Sequence, residues 1–211
     1  MKNFNLILCI CLQNFCLTAQ INLDLKIKLD SIQKIDQRFR EEVNNVMSDK
    51  NYLDSLRRLN GFEMSEYVEE IMLQQELIDR KNINYIDSII KIHGYPGLSL
   101  VGEPTCQTAW NVIQHSYELD KYYNLLRNAS RRGEIPDSLF AKTQDRVLVN
   151  HGKKQLFGTQ ADCTPNGSGS FNCCIVPIRN IKKVNKRRKK VGFLTTIEEY
   201  AKNNGYQLNN E

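Results

Sequence analysis

The sequence carries none of the short motifs that identify a known catalytic mechanism. There is no Gly-x-Ser-x-Gly elbow, no phosphate-binding glycine loop, no His-Glu-x-x-His and no dinucleotide fingerprint. Those absences set aside the enzyme classes that depend on them. No pair of cysteines or histidines in residues 20–211 has the spacing of a zinc site, so neither a metal nor any other cofactor is expected. No apolar run reaches the ~20 residues that a helix needs to cross a bilayer. Internal repeats and an interdomain linker are also missing. Tryptophan occurs once and histidine three times, at positions 93, 115 and 151. Where such scarce residue types gather, a site is worth looking for.

The first residues read as an export signal. Lys2 is the only charge before Asp24, and Phe4 to Leu17 is mostly apolar, interrupted by Asn5, Gln13 and Asn14. Leu17-Thr18-Ala19 offers a small residue at a cleavage point just before Gln20. The competing reading is a buried N-terminal helix, against which the polar breaks count. Gln13-Asn14-Phe15 before Cys16 lacks the small residues of a lipid-attachment site, so the expectation is soluble export, to the periplasm or beyond the cell. Residues 1–19 then form the signal, and 20–211 form one domain, long enough to bury a core.

Four cysteines remain after that cut: Cys106, Cys163, Cys173 and Cys174. An even count in an oxidising compartment invites disulfides. Cys163 and Cys173 flank a turn-rich segment, Thr164 to Ser170, which a bridge from Cys163 to Cys173 or Cys174 would close. The adjacent cysteine left over has Cys106 as a partner within the chain. The net charge is +5, and much of the excess is local: Lys182 to Lys190 holds seven basic residues. This run reads either as a solvated loop or strand edge, or as a docking surface for an acidic polymer. For an exported protein, nucleic acid is a poor partner.

Apolar spacing predicts a mainly α domain. Leu25, Leu29, Ile32, Phe39, Val43 and Val46 recur at helical steps, in a region ended by Asn60-Gly61. Val68, Ile71, Met72 and Ile78 make a second stripe. Ile83, Ile86, Ile89 and Ile90 make a third, closed by Gly94, Pro96 and Gly97. A fourth helix starts near Pro104 or Thr105 with Trp110, Ile113 and Tyr117 on one face. A fifth carries Tyr122, Tyr123 and Leu126 and ends at Gly133. A sixth opens at Pro136-Asp137 and stops at Asn150 or Gly152. Beyond Gly152, Leu156 to Gly158 and Phe171 to Ile178 predict a small antiparallel β-hairpin or sheet near the C-terminal end. Val191 to Leu194 reads as a short strand and Thr196 to Asn203 as a last helix.

Two blocks concentrate the chemistry. One is Ala109-Trp110-Asn111-Val112-Ile113-Gln114-His115. The other runs from Asp145-Arg146 through Asn150, Gly152 and Gln155 to Gly158-Thr159-Gln160. His115 can act as a general acid or base near neutral pH, or it can sit on the solvent side of its helix. Asp145 lies at the edge of an apolar face. It either orients His115 or forms an ion pair with Arg146, Arg131 or Arg132. Gln155 and Gln160 supply amides that serve a polar ligand as readily as a buried backbone.

These motifs, together with Asp36-Gln37 and Arg40, Gly94-x-Pro96, Val101-Gly102, Pro177-Ile178, Arg187-Arg188, Val191-Gly192 and Tyr200, resemble a bacterial family known as domain of unknown function 6624. They span most of residues 20–211 in the family's order. Two positions depart from its pattern. Asn185 replaces a frequent acidic residue before the arginine pair, and Phe157 replaces a tyrosine before Gly-Thr-Gln. The family has no assigned activity. The resemblance implies that Asp36, Gln37, Arg40, Gln114, His115, Asp145, Arg146 and Gln160 are used together, as a ligand site or as a network that fixes the fold. The expected site is a pocket around His115, Asp145 and Gln160. It would bind or hydrolyse a small polar or glycan-like ligand, with His115 and Asp145 in the catalytic roles. The alternatives are a non-catalytic module that docks through residues 182–190 and a purely structural domain.

Overall fold

The computed structural model describes residues 20–48, 50–61, 64–165 and 171–208. The expected signal, residues 1–19, lies outside the described residues.

Two long helices form the spine. Asn22 caps α1 (Leu23–Ser48) by accepting from the Leu25 N–H through its side-chain oxygen, at 3.0 Å. After α2 (Lys50–Asn60), α3 (Met64–His93) runs 30 residues back along α1. Asp79-Arg80-Lys81-Asn82 contains no glycine or proline. The second and third stripes predicted from spacing are therefore one helix, continuous through that polar step. It ends at Gly94, whose φ of 72° suits only a residue without a Cβ, and whose N–H donates to the Ile90 carbonyl at 2.9 Å.

Shorter helices pack across the spine: α4 (Leu98–Val101), α5 (Thr108–His115), α6 (Leu119–Arg131) and α7 (Asp137–Asn150). The core joins Leu25, Leu29 and Ile32 of α1 to Ile83, Ile86 and Ile89 of α3. Trp110 and Ile113 of α5, Leu126 of α6 and Leu139 of α7 complete it. The Trp110 indole N–H donates to the Thr143 hydroxyl at 2.9 Å, so the only tryptophan is buried without a stranded donor. α5 stops at His115, and Tyr117 therefore stands in solvent rather than on the predicted inner face.

The C-terminal part has its own small core of Ile175, Ile178, Val184, Ile197 and Ala201. Strands β1 (Ala161–Pro165) and β2 (Phe171–Ile175) pair antiparallel, with Cys163 opposite Cys173. The predicted hairpin is present. Its first strand begins at Ala161, because Leu156 to Gly158 forms a loop held by side chains. The basic run is helical: α8 covers Val184–Lys190, and α9 covers Ile197–Asn203 behind a Thr196–Glu199 capping box. Residues 191–194 turn between these helices instead of forming a strand, and Leu194 is fully exposed. Among the described residues, no helix is long and apolar enough to cross a membrane.

Cys163 and Cys173 are bonded, whereas Cys106 is buried among helices and Cys174 is half-buried on β2, both as free thiols. The leftover cysteine therefore does not reach Cys106. Thiol counting on residues 20–211, unfolded without reductant, is expected to find two free groups per chain. A count of zero or four contradicts this pairing. Closing the short loop between strands contributes about 2–3 kcal/mol.

Candidate functional site

Asp36 continues the apolar stripe of α1. It follows Leu25, Leu29 and Ile32 at helical spacing, so the fold carries its carboxylate into the interior, fully buried. α3 presents Gln75, Asp79 and Asn82 on the same register as Ile71, Ile86 and Ile89. α5 ends with His115 over this polar step. The His115 Nδ1 lies 3.1 Å from the Asp36 carboxylate, the Gln37 amide donates to it at 2.7 Å, and the Asn82 amide donates at 3.3 Å. Arg40, one turn along α1, donates to the Asp36 carbonyl at 2.6 Å and to Asp79 at 2.7 Å. Burial works to raise the Asp36 pKa. The hydrogen bond and charge of His115, the charge of Arg40 and the Asn82 amide together outweigh it and hold the group below the usual carboxylate value.

With Nδ1 directed at Asp36, Nε2 is the ring nitrogen left for other partners. His115 lines two cavities. A groove of about 1080 Å³ runs between α1 and α3, walled by Phe39, Val43, Val68, Met72, Leu73 and Ile83 and ending at Arg40, Asp79 and His115. Gln75 also lines it. The Gln75 amide nitrogen donates to Asp79 at 2.7 Å, while its oxygen is buried without a hydrogen-bond partner. A smaller cavity of about 390 Å³ lies against Arg40, Gln114, His115, Arg146 and Asn150. Arg146 donates to the Gln114 carbonyl at 2.6 Å and to the Gln160 side-chain oxygen at 3.2 Å. Among the described residues it makes no ion pair, and burial lowers its pKa.

Asp145 is placed elsewhere. One residue before Arg146 on α7, it turns to the opposite surroundings and accepts from the backbone N–H groups of Leu156 (2.6 Å), Phe157 (3.0 Å) and Thr159 (3.1 Å) and from the Thr159 hydroxyl (3.0 Å). It touches neither His115 nor an arginine side chain; its counterpart is a loop. Burial raises its pKa, against the pull of these four donors. Gln155, also fully buried, donates to the carbonyls of Gln160 and Val176 at 2.8 and 2.7 Å and accepts from the Gln160 N–H at 2.9 Å. From the other side, Arg187 donates to the Leu156 carbonyl and Arg188 to the Phe157 carbonyl, both at 2.7 Å. Gly158 has φ 73°, and a Cβ there would run into Ile197 and Ile178. Asp145, Gln155, Gly158, Arg187 and Arg188 thus form one clamp on the 155–160 loop. Two of the seven basic residues are spent on it, and five lysines of the run face solvent.

The structure therefore brings Asp36, Gln37, Arg40 and His115 together and sets Gln114, Arg146 and Gln160 beside them. Asp145 and Gln155 belong to the clamp, connected to the site only through Gln160. Asp79, Asn82 and Gln75 were not anticipated from the sequence. Their signal was present, as polar residues recurring at inward positions of an otherwise isoleucine-rich stripe.

The sequence pattern of the family of unknown function DUF6624 matches residues 24–209. The chain belongs to that family. No curated protein and no solved structure matches it. Within that span, Asp36, Gln37, Arg40 and His115 meet at the head of the groove, and Asp145-Arg146 is divided between clamp and cavity. Ligand atoms of Asp36, Asp79 and His115 lie within 4.8 Å of one another, close enough to hold a metal ion. The Arg40 guanidinium already sits on both carboxylates, 2.7 Å from Asp79 and 3.6 Å from Asp36. A divalent cation would have to displace it.

Proposed function

We propose that this protein binds a small amphiphilic molecule in the α1–α3 groove, with the molecule's polar end at His115, and that His115 exchanges a proton with it. The supporting observation is the Asp36–His115 pair at the meeting of the groove and the smaller cavity. A carboxylate held beside Nδ1 orients the imidazole, an arrangement suited to general acid–base work. The largely apolar walls favour an amphiphile over a wholly polar or glycan-like ligand. The Cys163–Cys173 bond, with the signal pattern of residues 1–19, supports action outside the cytoplasm.

A thermal-shift screen of small amphiphiles tests this reading. A ligand at about a hundred times its Kd stabilises the fold by about 2.7 kcal/mol. His115→Gln keeps a side-chain donor near Asp36, so its cost in stability is expected to stay near 1 kcal/mol. Its affinity for any hit should fall at least tenfold. Undiminished binding by His115→Gln would remove His115 from the site.

A further inference from the structure

The polar end of the groove has a definite chemical preference. Its cations are already engaged: Arg40 on Asp79 and Asp36, and Arg80 on Glu76. Among its carboxylates, Glu118 pairs with Lys121, whereas Glu69 is exposed and makes no ion pair among the described residues. Four carboxylates and two guanidinium groups line the groove, so the field inside is negative. An incoming anion would find no free cation there among the described residues. Gln75 adds an independent indication. It is more than nine-tenths buried, and its amide oxygen has no hydrogen-bond partner. A buried acceptor left unmade costs about 1–3 kcal/mol, and this one belongs to a residue that lines the groove. Asp79, bound to the Gln75 amide nitrogen, is a further acceptor nearby.

We infer that the groove's ligand carries a primary ammonium group at its polar end, on an alkyl or aryl tail. The inference rests on the reading of the groove as an amphiphile site and specifies its head. The ammonium would donate to the Gln75 oxygen and to the Asp79 carboxylate, with Glu69 adding long-range attraction. Its tail would lie along Val43, Val68 and Ile83 and leave past Met72 and Leu73, whose exposure of 61% and 53% marks the apolar mouth.

Calorimetric titration of residues 20–211 at pH 7 with four probes of one tail length tests this: decylammonium, decyltrimethylammonium, 1-decanol and decanoate, each below its micelle concentration. Decylammonium is expected to bind at least tenfold more tightly than decanol or decyltrimethylammonium, with decanoate weakest. Gln75→Leu should bring decylammonium to within about threefold of decanol while decanol binding persists. Equal binding of the primary and quaternary heads would show that charge alone acts and would overturn the donor assignment. Decanoate binding as tightly as decylammonium would overturn the inference while leaving an amphiphile groove in place. Failure of all four probes would remove the groove reading itself, as would sedimentation showing a dimer that excludes them. The ranking on the unaltered protein stands as a test whether or not Gln75→Leu folds.

Discussion

Replacing Asp145 by alanine is expected to lower the unfolding free energy by about 3–5 kcal/mol, the range for breaking a buried charged network from one side. Three backbone N–H groups and one hydroxyl converge on this carboxylate, and all four would be stranded under the loop it holds. The loop cannot compensate by shifting toward solvent, since Arg187 and Arg188 hold its carbonyls and Gly158 packs against Ile197 and Ile178. Asp145→Asn should cost less, because one oxygen remains an acceptor and burial no longer opposes a charge. As Asp145 has a raised pKa, its ionisation works against the fold. Its share of stability is fullest below the ordinary carboxylate value and declines as the pH rises through the raised one. Urea titration measures both variants. A loss below 1 kcal/mol for alanine would mean that the clamp is not a structural unit. Loss of ligand binding without loss of stability would return Asp145 to the site.

The different fates of Asp145 and Arg146 explain why the sequence was informative about elements and less so about roles. Apolar periodicity located the helices because each buries a stripe, and that stripe is written at three- and four-residue steps. It divided α3 in two because Asp79 to Asn82 looks like a polar connection. Helix propensity through those residues has no breaker; Asp79 and Asn82 are inward partners of Arg40 and Asp36, while Arg80 and Lys81 face solvent. Spacing on α7 placed Asp145 at the edge of the apolar face and left Arg146 open as its partner. It could not show what each of them meets, because the 155–160 loop and α5 are brought there by long-range packing. Asp36 was marked by its motif, while its pairing with His115 across 79 residues of chain is a property of the fold alone. The basic run was read from composition, which does not say that Arg187 and Arg188 turn inward to hold carbonyls while the lysines face water.

Asp36→Ala is expected to show the second-largest loss, about 3 kcal/mol, and to differ from Asp145→Ala in two ways. First, it should abolish binding of whatever the groove holds. Without the carboxylate, His115 loses the partner that fixes its tautomer, and Arg40 is left with Asp79 alone. Coupling should therefore appear in a double-mutant cycle with His115→Ala, at about 1 kcal/mol or more for groups in direct contact. Second, its acid dependence should have the opposite sign. The folded-state pKa of Asp36 is depressed, so its contribution is fully present above the ordinary carboxylate value, about 3.9, and is lost as the pH falls through the lower folded value. The stability gap between the unaltered chain and Asp36→Asn should be constant above about pH 5 and should shrink as the pH falls below the ordinary carboxylate value. Denaturant titrations across that range measure it. A gap that stays constant down to pH 2–3 would show that Asp36 is not held ionised by His115 and Arg40, and the acid–base reading of the pair would fall with it.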